Sequence, residues 1–184
     1  MNAPVRYTGV AIALHWLIAL AIFGAFGVGL YMVDLPFSPA KLKIYSWHKW
    51  AGVTIFALVV LRCIWRLTHA TPALPDSTPA WQRHVANVTH VLLYVLIFII
   101  PISGWLMSSA KGFQTVYFGV LPLPDLLDKN KELGDTLATV HQYLNFTMIA
   151  IVLLHAGAAL KHHFIDKDDI LRRMLPGGRS SSIR

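Results

Sequence analysis

Three long stretches of the chain, residues 7–33, 84–110 and 136–160, contain no Asp, Glu, Lys or Arg. A helix needs about 20 mostly apolar residues to cross a ~30 Å hydrocarbon layer, and each stretch is longer than that. A fourth apolar stretch, 44–67, is broken by Lys49 near one end and Arg62 near the other. Lys49 can reach an interface along its own methylene stem. Arg62 lies about a turn further in and needs a partner inside the protein. No stretch alternates apolar and polar residues over the roughly ten positions of a membrane barrel strand. The first is also longer than the ~7–15-residue apolar region of a secretory signal, and it reads as a retained first helix. The pattern predicts an all-α integral membrane protein, an antiparallel four-helix bundle over residues 1–176 with helices at about 9–33, 44–67, 83–109 and 136–163.

The connections differ. Residues 68–82 include Pro72, Pro75 and Pro79, so this loop cannot be helical throughout. Residues 111–135 form a longer loop with an apolar patch from Val116 to Pro122, suited to lying on the bilayer or on a cofactor. The end of the chain, 177–184, reads as a disordered tail.

Composition agrees with a lipid solvent: 55% of residues are hydrophobic and 14% are charged, against about 25% charged in soluble domains. One cysteine, Cys63, excludes a disulfide framework. The net charge of +7 is assigned to membrane topology and not to nucleic acid. With four spans both termini share one side, which holds ten of the sixteen Lys and Arg residues. That bias places the termini of this multi-pass protein in the cytoplasm.

Nine histidines change the picture further. Ionisable groups inside a span are costly and face the bundle interior. His141 and His155 are 14 residues apart, which on a helix puts them within about 40° of one face and ~21 Å apart along it. Antiparallel helices then match His15 with His155 near the cytoplasmic side and His48 with His141 near the outer side. Two imidazole pairs at two depths are what two bis-imidazole haems require. Without a Cys-x-x-Cys-His motif these would be non-covalent haem b. Zinc would need three or four ligands at one depth. Arg62 and Arg66 fall on the face of His48 at the cytoplasmic end, suited to haem propionates. Gly52 clears the backbone one turn after His48, and Gly104 does so on the third helix. Gly24, Gly27 and Gly29 read as packing residues. His90 either competes as an inner ligand or hydrogen-bonds a propionate or a helix. His162 lies near the stripe of His155 and either docks a quinone headgroup or is plainly interfacial.

Several motifs together carry a resemblance: Arg6-Tyr7-Thr8 with Leu14-His15-Trp16, His48-x-x-x-Gly52 with Arg62 and Arg66, His90-x-x-x-Tyr94 with Pro101-x-x-Gly104, and His155 with His162-His163-Phe164. From about residue 6 to 176 the chain resembles the bacterial cytochrome b561 family, and its Tyr117-Phe118-Gly119 loop resembles the small dihaem superoxide-oxidising members. The resemblance implies two haems b, ubiquinone as electron acceptor and superoxide as substrate. It puts the iron ligands on His15, His155, His48 and His141 and the quinone contact on His162. One departure stands: 68–82 contains no lysine, and Ser77 occupies about the place of the lysine expected near the quinone.

In that mechanism Lys49, Lys111, Lys129 and Lys131 either form a basic funnel for the superoxide anion or are ordinary solvated lysines. Asp125, Asp128, Glu132 and Asp135 dilute the long loop. The rival reading is a cytochrome b subunit that relays electrons between a periplasmic or membrane partner protein and quinone, without activity of its own.

Overall fold

The computed structural model describes residues 5–75 and 78–177; Ser77 and nearly all of the tail, 178–184, lie outside the described residues. Four helices run up and down: α1 (Gly9–Val33), α2 (Pro39–Thr68), α3 (Ala80–Ala110) and α4 (Lys131–Lys161), the last continuing into a π-helical turn, His162–Asp166. All four are long and apolar enough to cross a membrane. The protein is an all-α membrane four-helix bundle.

α2 and α4 begin before their apolar windows because caps, not hydropathy, set their starts. Ser38 accepts the amide of Lys41 and is followed by Pro39 at the first helical position, so α2 begins well before residue 44. Asn130 accepts the amide of Leu133 and starts α4 at Lys131, ahead of residue 136.

Exposure is inverted relative to a soluble protein. Leu20, Leu67 and Leu154 are among the most exposed side chains, at 68%, 86% and 71%, as expected where lipid is the solvent. A small core of Ile18, Ile55 and Val59, flanked by Ile97 and Phe98, occupies the middle of the bundle. Edge-to-face pairs Phe26–Phe146 and Phe56–Phe98 also lie between the helices.

Backbones come closest between α3 and α4, then α1 and α2, then α2 and α3. The pairs α1–α4 and α2–α4 barely approach at the backbone. The bundle is thus two helical hairpins joined along one seam and held apart along the other.

The loop from α3 to α4, at the end called outer here, contains a two-stranded hairpin of β1 (Val116–Tyr117) and β2 (Leu121–Pro122). Its turn places Phe118 and Gly119 in the left-handed region, at φ 49° and 74°. The hairpin lies along α2: the Trp50 indole donates to the Val116 carbonyl, Tyr117 bonds Thr54 and Phe118 packs on Trp50. Periodicity could not reveal strands of two residues. At the inner end, Arg6 and Trp16 donate to the carbonyls of Leu175 and Met174, and Arg173 donates to that of Ala73. The segment after α4 therefore folds back over the end where the chain begins.

Candidate functional site

Each facing imidazole pair bridges two helices whose backbones keep apart. His15 on α1 faces His155 on α4, with ring centroids 6.4 Å apart and planes crossing at 68°. His48 on α2 faces His141 on α4 at 6.3 Å and 85°. An imidazole nitrogen lies about 2.0–2.1 Å from a divalent first-row metal, so two rings on opposite sides of one ion have centroids roughly 6 Å apart. Both pairs match that spacing. His90 is nearer to His155, at 5.3 Å and 69°, closer than two rings on opposite sides of one ion would stand. It lies beside the inner pair.

The ring environment settles which nitrogen is free on His141. His141 Nδ1 lies 3.1 Å from the Ile100 carbonyl and 2.9 Å from Ser103 Oγ. Ser103 itself donates to the Ile100 carbonyl. A carbonyl only accepts, so His141 Nδ1 carries the proton and Nε2 keeps its lone pair. His48 Nδ1 is buried without a completed hydrogen bond, and the Ala25 carbonyl is the acceptor this ring meets.

The helix glycines singled out in the sequence separate into two kinds. A methyl group on Gly52 would meet nothing within 4 Å, so the backbone one turn from His48 borders open space, as a flat macrocycle requires. On Gly104 it would lie 3.1 Å from His141 Cε1, and on Gly29 3.3 Å from His48 Cε1. Gly104 therefore clears an imidazole where the sequence suggested a macrocycle. Gly29 does the same and is a close contact between α1 and α2, whereas at Gly24 and Gly27 no neighbour lies within 4 Å, so those two are not tight helix–helix contacts.

Both span arginines face Tyr94 of α3, Arg62 half-buried and Arg66 exposed. Arg62 donates to the Ala11 carbonyl at 2.9 Å and to the Tyr94 hydroxyl at 3.2 Å, and Arg66 lies over the Tyr94 ring. The charge of Arg62 acts on His15, His155 and His90. Among the described residues neither guanidinium has a carboxylate partner. With Tyr7, Thr8, Trp65 and His69 they line a notch of about 20 Å³. Two unpaired cations beside the inner imidazoles fit the carboxylates of a haem. The residues present thus suit two bis-imidazole haems.

The outer lysines divide by partner. Lys111 and Lys131 both reach Asp135, at 3.1 and 3.4 Å, so one carboxylate offsets two of the four charges. The Lys129 stem packs beside Gly112. Lys49, next in sequence to His48, donates to Ser108 Oγ and to the carbonyls of Phe113 and Gln114, at 3.0, 2.9 and 3.3 Å. Among the described residues no carboxylate is in ion-pair contact with it; Asp125 acts on it from further away.

At the inner end His162 Nδ1 lies 2.7 Å from Asp168 and 3.1 Å from Asp166, while Lys161 also holds Asp166. Sequence reasoning found His162 but missed Asp168, because the π-helical turn that brings them together has no spacing signature. It also missed Ser103, whose one visible signal was a hydroxyl two residues after Pro101 in an apolar span.

The sequence profile of the family described as prokaryotic cytochrome b561 matches residues 6–177. The chain belongs to that family. This cytochrome is 38% identical to cytochrome b561 homolog 2 of Escherichia coli (strain K12) over 183 residues, covering 98% of this chain and 96% of the relative. It is 30% identical to the probable superoxide oxidase CybB of Yersinia pestis over 179 residues, covering 95% and 98%. Identity to cytochrome b561 homolog 1 of the same Escherichia coli strain is 28% over 174 residues, covering 93% and 97%. Membership makes the chain a membrane electron-transfer protein with b-type haem.

Proposed function

We propose that this cytochrome takes single electrons from superoxide at its outer surface and delivers them to ubiquinone at its inner, cytoplasmic end. The carrying observation is the pair of facing imidazoles at each of two depths, 6.4 and 6.3 Å between centroids. His15 with His155, and His48 with His141, would hold two haem b groups. Bound haem supplies reversible one-electron chemistry at iron, and the protein needs no nucleophile or general base in its spans.

The chain's own residues attract, hold and protonate. Lys49 sets a positive charge beside His48, which raises the local concentration of a small anion. Each superoxide gives up one electron and leaves as dioxygen. Two such electrons with two protons convert one ubiquinone to ubiquinol. His162, fixed through Nδ1 by Asp168, turns its other nitrogen to a quinone carbonyl and supplies a proton there. Arg62 and Arg66 would neutralise haem propionates, and His90 would support the inner pair from the side. The likeness to a probable superoxide oxidase supports this choice of substrate.

The second reading is a relay between a periplasmic or membrane partner and quinone; the relative at 38% identity is named only as a cytochrome b561 homolog. Stopped-flow mixing with superoxide decides between them. The oxidase reading expects haem reduction at a rate that falls steeply with added salt, and ubiquinol when a ubiquinone analogue is present. A b-type spectrum that superoxide leaves oxidised would overturn it and leave the relay.

A further inference from the structure

The two outer histidines sit in matching seats. His48 on α2 leans on α1, where it meets the Ala25 carbonyl, and Gly29, four residues on, clears its ring. His141 on α4 leans on α3, where it meets the Ile100 carbonyl, and Gly104, four residues on, clears its ring. One turn of helix therefore supplies both an acceptor and a gap, once in each helical hairpin. The inner histidines are surrounded differently: His15 packs on Trp16 and His155 on His90, with the charge of Arg62 close by.

We propose that Ser103, Gly29 and Gly104 are positioning residues that fix the tautomer and ring orientation of the outer imidazoles. The inference rests on the assignment of His48 and His141 as an iron-binding pair. Ser103 is 5% exposed and gives its own proton to the Ile100 carbonyl, so its oxygen is free to accept from His141 Nδ1. Two acceptors on one N–H push electron density toward Nε2, which makes the imidazole a stronger donor to a metal and favours the oxidised ion. The glycines act by shape. A methyl group at either would press on Cε1, between the two ring nitrogens, and turn the plane away from the 85° crossing.

Redox titration and ferric electron paramagnetic resonance of the purified haem-loaded protein test this without any assay of activity. Ser103→Ala should move the outer haem component to a more positive potential and leave the inner one in place. Ser103→Thr, which keeps the hydroxyl, should restore it. Gly104→Ala and Gly29→Ala should alter the low-field signal that near-perpendicular imidazole planes give, in the outer component alone. Gly157→Ala, where a methyl group meets nothing within 4 Å, should change neither component. Two haems in the unaltered protein, with variants that move both components or neither, would overturn this inference alone. One haem in the unaltered protein would remove the ligand assignment and the inference together.

Discussion

At the scale of single residues, four imidazoles and two guanidiniums in lipid are each expensive, and together they imply bound groups that offset the cost. His141→Ala should lower the haem content from two per chain to one, read by the pyridine haemochrome, and leave the inner haem's spectrum unchanged. A variant that retains both haems would refute the pairing with His48. Arg62→Met removes a cation that touches Ala11 and Tyr94 and faces the inner imidazoles. It should weaken the inner haem selectively and lower its potential, because a nearby positive charge stabilises the added electron. His162→Ala should slow ubiquinol formation roughly a hundredfold while superoxide still reduces the haems at the normal rate. Loss of both activities together would place His162 in the structural scaffold instead.

At the scale of elements, the outer loop owes its order to polar atoms placed on the helix ends. Lys49 ties α2 to Ser108 and to the carbonyls that follow α3, and Trp50 and Thr54 secure the hairpin to the same helix. The turn depends on Gly119 at φ 74°, a conformation that costs other residues about 1–2 kcal/mol. Gly119→Ala should therefore destabilise the hairpin by about that amount, seen as faster amide exchange at 116–122 with little change in the helices. Uniform exchange throughout the protein would show that the hairpin does not open on its own. Lys49→Met should both loosen this loop and flatten the salt dependence of the superoxide reaction. The clasp and the proposed steering charge are the same group.

At the scale of the whole molecule, two hairpins joined at one seam leave open the spaces in which facing imidazoles stand. The apolar exterior suits this assembly to a membrane, and the ten-to-six distribution of basic residues predicts that its termini face the cytoplasm. In a Cys63→Ala background, Val120→Cys on the hairpin should react with a membrane-impermeant maleimide added to intact cells. Val5→Cys should react only after the membrane is opened. The opposite labelling would invert the orientation and with it the direction in which superoxide meets the haems.

The sequence by itself determined the solvent, the number of spans and the depth of each histidine, because hydropathy and helical rise are local properties that need no knowledge of neighbours. It also exposed the span arginines, since a charge inside an apolar stretch is conspicuous wherever the chain folds. Only the tertiary structure decided how the side chains met across helices. Ser103, Gly29 and the Asp168 clamp on His162 depend on contacts between residues far apart in sequence or on an irregular turn, and neither leaves a period to read. The same holds for Lys111 and Lys131, whose shared partner Asp135 is fixed by where α3 ends and α4 begins. Depth follows from counting residues along one helix, whereas a ring's orientation follows from the carbonyl and the gap that another helix presents to it.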